Sequence, residues 1–444
     1  MSDNKTTEWG SRIGFILAGA GSAIGLGAIW KFPFWAGTYG GSAFIIPYIF
    51  FTFTIGVALV MAELAIGRAG RGSAVSAMKN LGGPAFAILG GIGVLTSFII
   101  LSYYSVVGGW CVKYLFDAIG GSLVTSDPKL LADSFGNLVA DPVANISWHL
   151  AFLTVGCGVV ALGVVDGIER ISKYLLPLLF LLMLFITGRS LTLDGAMQGV
   201  DFLFNFSFSK LTLESVMNAM GLTFFSLSLG CTILVTYGLY LKDTTDIPSS
   251  AGWISWLAVQ TGILAGLMIM PAVFAMGQDP KAGPGLVFIT IPLVFSEIPF
   301  GDLFATLFYV CLVVAALTSA ISLMEVVVAY LCNEWHMKRI GASLLIYIAG
   351  FLLGCVSALS FGPWSNWTVG GKIFFDLLDY VCTNIMMPVG GLGVAVLAGW
   401  IARDKFRAQL ALVRHYSPAM LDFLSFSVRI LAPIMVLLVL VSGL

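Results

Sequence analysis

The sequence contains little charge. Lys, Arg, Asp and Glu together make up 10% of its 444 residues, whereas about 25% is usual for a soluble domain. A folded chain needs polar side chains to cover its surface in water, so this composition excludes a soluble globular protein. Hydrophobic residues reach 59%, and the mean hydropathy is +0.98. The sequence therefore predicts an integral membrane protein whose partner surface is the lipid bilayer.

Several classes of function lack the residues that they would need. The net charge is −1, so there is no basic surface for a nucleic acid partner. The seven cysteines include no CxxC pair and are expected to be buried apolar residues. The three histidines show no zinc-ligand spacing. No nucleophile–base pair stands out, and we therefore expect no enzyme.

Long apolar segments dominate what is present. A helix needs about 20 residues to cross the hydrocarbon core of a bilayer. Eleven segments meet this need, at about 12–35, 42–66, 86–119, 148–165, 171–190, 214–240, 250–277, 302–333, 341–359, 372–401 and 421–443. The longest predicted loops are 120–147, 191–213 and 278–300. The pattern predicts an all-α membrane protein with eleven transmembrane helices. The polar residues Met1 to Trp9 do not resemble the start of a cleavable signal peptide. The first apolar segment is therefore expected to remain in the mature protein.

The basic residues indicate how the chain is oriented. Lys and Arg accumulate near the cytoplasmic ends of transmembrane helices. With the N-terminus inside, fourteen of them fall on the inner side and seven on the outer side, and Arg429 lies within the last segment. We therefore predict a cytoplasmic N-terminus and an external C-terminus.

The first and sixth segments carry glycine and serine at mid-membrane depth. They contain GAGSAIGLG (Gly19 to Gly27) and GLTFFSLSLG (Gly221 to Gly230). These residues weaken helices, so both segments are predicted to break. The spacing fits five helices repeated with inverted topology: 1–190 as the first repeat, 214–401 as the second, and 418–444 as an additional eleventh helix. Alternatively, small pairs such as Gly21 and Gly25 only allow close helix packing.

Sequence blocks in nearly every segment resemble the neurotransmitter:sodium symporter family. They are WGSRIGFILAGAGSAIGLGAIWKFP (Trp9 to Pro33), GGSAFIIPYI (Gly40 to Ile49), AELAIGR (Ala62 to Arg68), SYYSVVGGW (Ser102 to Trp110), GIERISK (Gly167 to Lys173), FFSLSLG (Phe224 to Gly230), GPGLVF (Gly283 to Phe288) and ALTSAISLMEV (Ala316 to Val326). Eleven helices are common among the family's prokaryotic members. The resemblance implies a sodium-coupled amino-acid symporter in a bacterial inner membrane.

The resemblance implies that the substrate lies between the two breaks. A zwitterionic amino acid needs a positive pole for its carboxylate and oxygen acceptors for its ammonium, and broken helices offer both. The Gly27 amide and the Tyr104 hydroxyl would bind the carboxylate. The ammonium would be bound by the carbonyls of Ala23, Phe225 and Ser226 and by the hydroxyl of Ser228.

Two features of the site indicate which substrate it takes. The family's monoamine carriers have an aspartate at the position of Gly25, where it replaces a missing substrate carboxylate; glycine here implies a substrate that brings its own. The implied side-chain pocket consists of Ile100, Tyr104, Phe225, Cys231, Ser319 and Leu323. Because this pocket is mainly apolar, we expect a neutral hydrophobic amino acid. Cys231 replaces a phenylalanine of the leucine-selective bacterial member and leaves more room.

The resemblance also implies one complete sodium site. Its oxygen ligands would be the carbonyls of Gly21, Ile24 and Ala315 and the hydroxyls of Thr318 and Ser319, a set that suits a hard cation. Such hydroxyls can instead bond to carbonyls of their own helix. The family's second sodium site lacks ligands here, because Ala28 replaces an asparagine and residues 249–277 contain none. We expect one sodium ion, and a proton as additional or replacement coupling ion remains open.

Gate residues follow by the same resemblance. Lys31 and Asp379 match the outer gate pair. Thr6 and Asn333 stand where the family has its inner ion pair, which is therefore expected to be absent. Glu63 is expected to accept hydrogen bonds beside the first break. A solvated cytoplasmic rim is expected at Asp166, Glu169, Arg170 and Lys173.

Other functions remain open at this point. A channel would use rings of charges or carbonyls in a symmetric oligomer, whereas two broken helices in one chain favour a single enclosed site. A receptor or scaffold of the same fold that binds an amino acid without transporting it is a further alternative. The oligomeric state cannot be inferred from the sequence.

Overall fold

The computed structural model describes residues 8–206, 208–279 and 285–443. Within them, nine continuous helices are long and apolar enough to cross a bilayer: Ser42–Gly70 (span 2), Pro84–Ile119 (span 3), Pro142–Ala161 (span 4), Val164–Leu191 (span 5), Ile247–Ala275 (span 7), Gly301–Glu334 (span 8), Arg339–Leu359 (span 9), Phe374–Ile401 (span 10) and Pro418–Val441 (span 11). Span 1 consists of Arg12–Ala23 and Gly27–Thr38, which meet at a bend of 54°. Span 6 consists of Leu213–Ser226 and Ile233–Leu239. The predicted all-α fold with eleven spans is confirmed.

The breaks in spans 1 and 6 lie at the predicted positions. The first half of span 1 ends at Ala23, and the backbone of the next residue, Ile24 (φ −94°, ψ 64°), has left the helical range. In span 6, Ser228, Gly230 and Thr232 have φ of 53°, 82° and 57°. Left-handed backbone at a serine and a threonine is uncommon, and such strain is concentrated at binding sites. The sequence correctly located both interruptions.

The predicted loops were wrong in part, because they contain helices. These are Pro128–Ala140, Ala196–Phe204 and Leu286–Ser296. Other short helices occur at Ala74–Gly82 and Arg403–Ala411. Asp127 caps the helix Pro128–Ala140 by accepting from the Lys129 amide at 2.9 Å. Asp141 likewise caps span 4, which therefore begins at Pro142 and not near residue 148. Hydropathy alone misses such starts, because a cap followed by proline is polar.

The broken spans lie in the centre of the bundle. In the most apolar window of span 8, 83% of the residues are buried, against 33% in span 5. The first half of span 1 packs against spans 5, 7 and 8, and both halves of span 6 pack against span 2. The mid-membrane backbone that has left the helix is therefore enclosed by protein and not exposed to lipid, as it must be to satisfy its polar groups.

Candidate functional site

A buried cavity of about 50 Å³ lies where the two breaks face each other. The structure brings all the predicted substrate residues together around it: Ala23, Gly25, Gly27, Ile100, Tyr104, Phe225, Ser226, Ser228, Cys231, Ser319 and Leu323. Three further residues line the cavity and were not inferred from the sequence, namely Ser22, Ile233 and Met387. Spans 1, 3, 6, 8 and 10 thus all contribute to its wall.

One end of the cavity presents hydrogen-bond donors. The backbone amide of Leu26 donates to the Tyr104 hydroxyl at 3.1 Å, which leaves the hydroxyl proton free to donate in turn. The second half of span 1 begins at Gly27, so a helix N-terminus with its partial positive charge adjoins the same point. This end is suited to a carboxylate.

Glycine is required at two places along this wall. A Cβ atom at Gly27 would lie 2.7 Å from the Phe225 ring. A Cβ atom at Gly25 would lie 2.5 Å from Ser319 Oγ and 2.9 Å from Tyr104 Oη. All three distances are below normal van der Waals contact. The backbone of span 1 therefore faces the cavity directly, without side chains in between.

The other polar end of the cavity presents oxygen atoms. The Ser228 hydroxyl donates to the Ser22 carbonyl at 3.1 Å. The Phe225 carbonyl at the end of the first half of span 6 accepts from the Ser228 amide at 3.0 Å. The Ser22 hydroxyl is buried and, among the described residues, has no hydrogen-bond partner. It directly precedes Ala23, the last residue of the first half of span 1, so its position in the motif was a usable signal.

The residues of the predicted sodium site also converge. Ser319 Oγ donates to the carbonyl of Gly21 at 3.1 Å and joins span 8 to span 1. Thr318 Oγ1 donates within its own helix to the Ala315 carbonyl at 3.1 Å. The Gly21 backbone lies against Thr318, since a Cβ there would be 3.1 Å from Thr318 Cβ. Ile24 directly follows the helix that contains Gly21. Hydroxyl and carbonyl oxygens are the donors that suit sodium as a transported ion.

The position of a second sodium site offers few oxygens. Ala28 and Ala258 are both buried methyl side chains. Gln260 is exposed and points away from the centre. The Ser226 hydroxyl remains and shares a hydrogen bond of 3.1 Å with the Tyr48 hydroxyl. The amide oxygens expected of the family are therefore replaced by apolar groups.

The two predicted outer gate residues line one cavity of about 830 Å³ above the site but do not pair. Both belong to the described residues, and each has another partner. Lys31 Nζ lies 3.9 Å from the centre of the Phe225 ring. Asp379 accepts from the Tyr103 hydroxyl at 3.0 Å. The contact that covers the buried cavity is thus between a cation and an aromatic ring.

Contacts among the described residues join the helices at the end of the bundle that is predicted to face the cytoplasm. Thr6 lies outside the described residues, and Asn333 donates within its own helix to Ala329 at 2.8 Å. Trp9 Nε1 donates to the Tyr237 carbonyl at 3.0 Å and ties the start of span 1 to span 6. The buried carboxylate of Glu325 pairs with Arg339 and accepts from the Tyr240 hydroxyl.

Two carboxylates differ from expectation. Glu169 was predicted on a solvated rim but is fully buried, because it accepts from the Gly10 amide at 2.7 Å and the Ser11 hydroxyl at 2.8 Å. Asp166 is exposed, as predicted. Glu63 accepts a hydrogen bond from the Gly230 amide at 2.8 Å. This bond places Glu63 beside the break in span 6, whereas the prediction was the break in span 1.

Comparisons with known proteins agree along nearly the whole chain. The model of the sodium:neurotransmitter symporter family matches residues 6–127 and 137–444. A sodium-dependent transporter of Bacillus subtilis, YhdH, is 43% identical over 89% of this chain and 88% of its own length. A sodium-dependent transporter of Haemophilus influenzae is 35% identical over 100% and 99%. The crystal structure of MhsT in complex with L-phenylalanine has a TM-score of 0.91 and 37% identity, covering 99% of this chain and 100% of that one. The resemblance inferred from the sequence is confirmed.

Proposed function

The chain belongs to the sodium:neurotransmitter symporter family and is a sodium-dependent transporter, not an enzyme; from this premise we propose that it imports a neutral, mainly hydrophobic amino acid together with sodium. The observation that carries the proposal is the cavity between the two breaks. It has a donor end at Tyr104 and the helix start at Gly27, an acceptor end at Ser22 and Ser228, and apolar walls between them. The likeness to MhsT with bound L-phenylalanine supports an amino acid as the ligand.

The charge pattern of the cavity supports a substrate with both an ammonium and a carboxylate. No acidic side chain lines it among the described residues, so an amine without a carboxylate would have no counter-charge in a low-dielectric site. A substrate carboxylate can instead take the helix N-terminus at Gly27. The side-chain wall formed by Ile100, Cys231 and Leu323 favours an apolar substituent.

Sodium would couple to this substrate through span 8. Its proposed ligands, Gly21, Ile24, Ala315, Thr318 and Ser319, belong to the first half of span 1 and to span 8. Ion binding would therefore hold these two spans together, beside the substrate. Release of the ion would remove that link, so that the two ligands favour the same closed state and each raises the affinity for the other. One sodium ion per cycle is proposed, because Ala28 and Ala258 provide no side-chain oxygen.

Alternating access would then proceed between the two sides of the bundle. Phe225 and Lys31 close the outer path, and the contacts of Trp9 and Glu169 close the inner one. We place the N-terminus in the cytoplasm and the C-terminus outside, in a cell inner membrane, from the distribution of basic residues. The proposed inverted repeats are 1–190 and 214–401.

Counterflow in proteoliposomes tests this function. Vesicles loaded with unlabelled amino acid should accumulate a labelled one from outside, and only with sodium present. Tyr104→Phe should reduce this uptake strongly, because it removes the hydroxyl at the donor end. Tyr114→Phe is the matched control, since Tyr114 is also buried in span 3, its hydroxyl has no hydrogen-bond partner among the described residues, and it does not line the cavity. Binding without counterflow would identify a receptor or scaffold. Uptake driven by a pH gradient without sodium would identify proton coupling.

A further inference from the structure

The buried cavity and the larger outer cavity share two lining residues, Phe225 of span 6 and Met387 of span 10. Residues that line both cavities form the partition between them. Phe225 was inferred from the sequence, whereas Met387 lies in a part of span 10 that the family resemblance did not assign to the site. Met387 is 2% exposed. The partition therefore consists of two residues from two different spans.

The backbone around Met387 is fixed against the break in span 6. The carbonyl of Met387 would lie 2.1 Å from a Cβ at Gly230, where φ is +82°. A Cβ at Gly390 would lie 2.4 Å from the Gly230 carbonyl. Two glycines thus allow main chain to pack directly on main chain. Since Cys231 follows Gly230, this contact positions Met387 beside the Cys231 end of the cavity.

The two partition residues cover different ends of the cavity. The Phe225 ring lies over Gly27, at the end that offers donors for a carboxylate. Met387 lies near Cys231, away from that end. An amino acid bound with its carboxylate at Gly27 would therefore point its side chain toward Cys231 and Met387.

Span 10 also carries a graded face into the outer cavity. Asp379, Thr383 and Met387 are spaced four residues apart and all line that cavity, which places them on one face of the helix. The face runs from a carboxylate to an apolar thioether. Met387 is the innermost of the three and the only one of them that reaches the buried cavity.

We propose that Met387 closes the pocket over the substrate side chain and sets the largest side chain that the transporter accepts. This inference rests on the proposed function, because it assumes an amino acid bound with its carboxylate at Gly27. An unbranched thioether fills irregular space and adapts to ligands of different shape. Cys231 leaves room beneath Met387. The methionine side chain would therefore adjust its conformation to the different sizes of aliphatic and aromatic substrate side chains.

Binding of alanine, valine, leucine, phenylalanine and tryptophan to the purified protein in sodium tests the proposal. Met387→Ala should raise the affinity for tryptophan relative to valine by at least about tenfold. This is the discrimination that a single methylene group produces in an apolar pocket. Met387→Phe should do the reverse and exclude the two aromatic amino acids while retaining alanine and valine. Met387→Leu keeps the volume and should keep the wild-type order. Met217→Ala is the matched control, because Met217 lines only the outer cavity.

The outcomes separate this proposal from the proposed function. An unchanged order of affinities in both the Ala and Phe variants would overturn the role of Met387, and so would an equal loss for all five amino acids. Either result leaves amino-acid transport intact, provided that the wild type binds. If the wild type binds none of the five and shows no counterflow, the proposed function itself fails.

Discussion

The contact between Lys31 and Phe225 should be the outer latch of the closed state, in place of the Lys31–Asp379 pair that the sequence suggested. Lys31 Nζ is 3.9 Å from the ring centre, well within the range of about 6 Å over which a cation is attracted to an aromatic face. Asp379 is occupied by Tyr103. A double-mutant cycle can decide between these two pairings.

The expected energies follow from this geometry. Phe225→Ala should cost about 3 kcal/mol or more of substrate binding, as for other large-to-small changes at a packed site. The part that is due to Lys31 is smaller, because cation–π contacts contribute about 0.5–1 kcal/mol when exposed and about 2 kcal/mol when desolvated. The coupling between Lys31→Met and Phe225→Leu should therefore be about 0.5–2 kcal/mol, or about 2- to 30-fold in affinity. Coupling of Lys31→Met with Asp379→Asn should stay below about 0.5 kcal/mol, the usual limit of additivity.

Equilibrium binding of a labelled amino acid at saturating sodium, to the wild type and the single and double variants, measures both couplings. The rate of substrate dissociation should report the same contact. Variants that lose the contact between Lys31 and Phe225 should release the substrate faster, because this contact covers the buried cavity. A strong coupling of Lys31 with Asp379, together with none between Lys31 and Phe225, would refute the reasoning. It would show that the family's charged pair forms in the substrate-bound state.

Three further predictions concern the ion, the pocket and the inner closure. Gly25→Ala should weaken substrate binding, because its Cβ would displace the Ser319 hydroxyl. Gly25→Asp should abolish binding, because a second carboxylate would compete with the substrate's for the donor end. Near-native affinity of the Asp variant would place the substrate elsewhere. Sodium titration of binding should give a Hill coefficient near one, and Thr318→Val should flatten the curve, whereas a coefficient near two would require a second ion. Glu169→Gln should lower the free energy of unfolding by about 1.5–3 kcal/mol, and with it the melting temperature, because the charged hydrogen bonds at the start of span 1 are lost. Asp166→Asn, at its exposed neighbour, should leave the melting temperature unchanged.

The sequence by itself determined the membrane fold and most of the pocket. Apolar runs of sufficient length can only be buried as transmembrane helices, so the number of spans followed from composition. Glycine and serine at corresponding depths in spans 1 and 6 marked the breaks, because the weakness of these residues in helices is a local property. The family blocks then identified residues that the structure brings together around one cavity.

Tertiary structure decided which groups meet. Lys31 contacts Phe225, Asp379 contacts Tyr103, and Glu169 holds the start of span 1. In each pair, the two partners are more than a hundred residues apart in the sequence. No local sequence pattern encodes such a pairing. Met387 reaches the cavity only because glycines let the backbone of span 10 pack on the break in span 6. Helix propensity and hydropathy depend on near neighbours along the chain, whereas the lid, the latch and the size of the pocket depend on how closely separate helices approach.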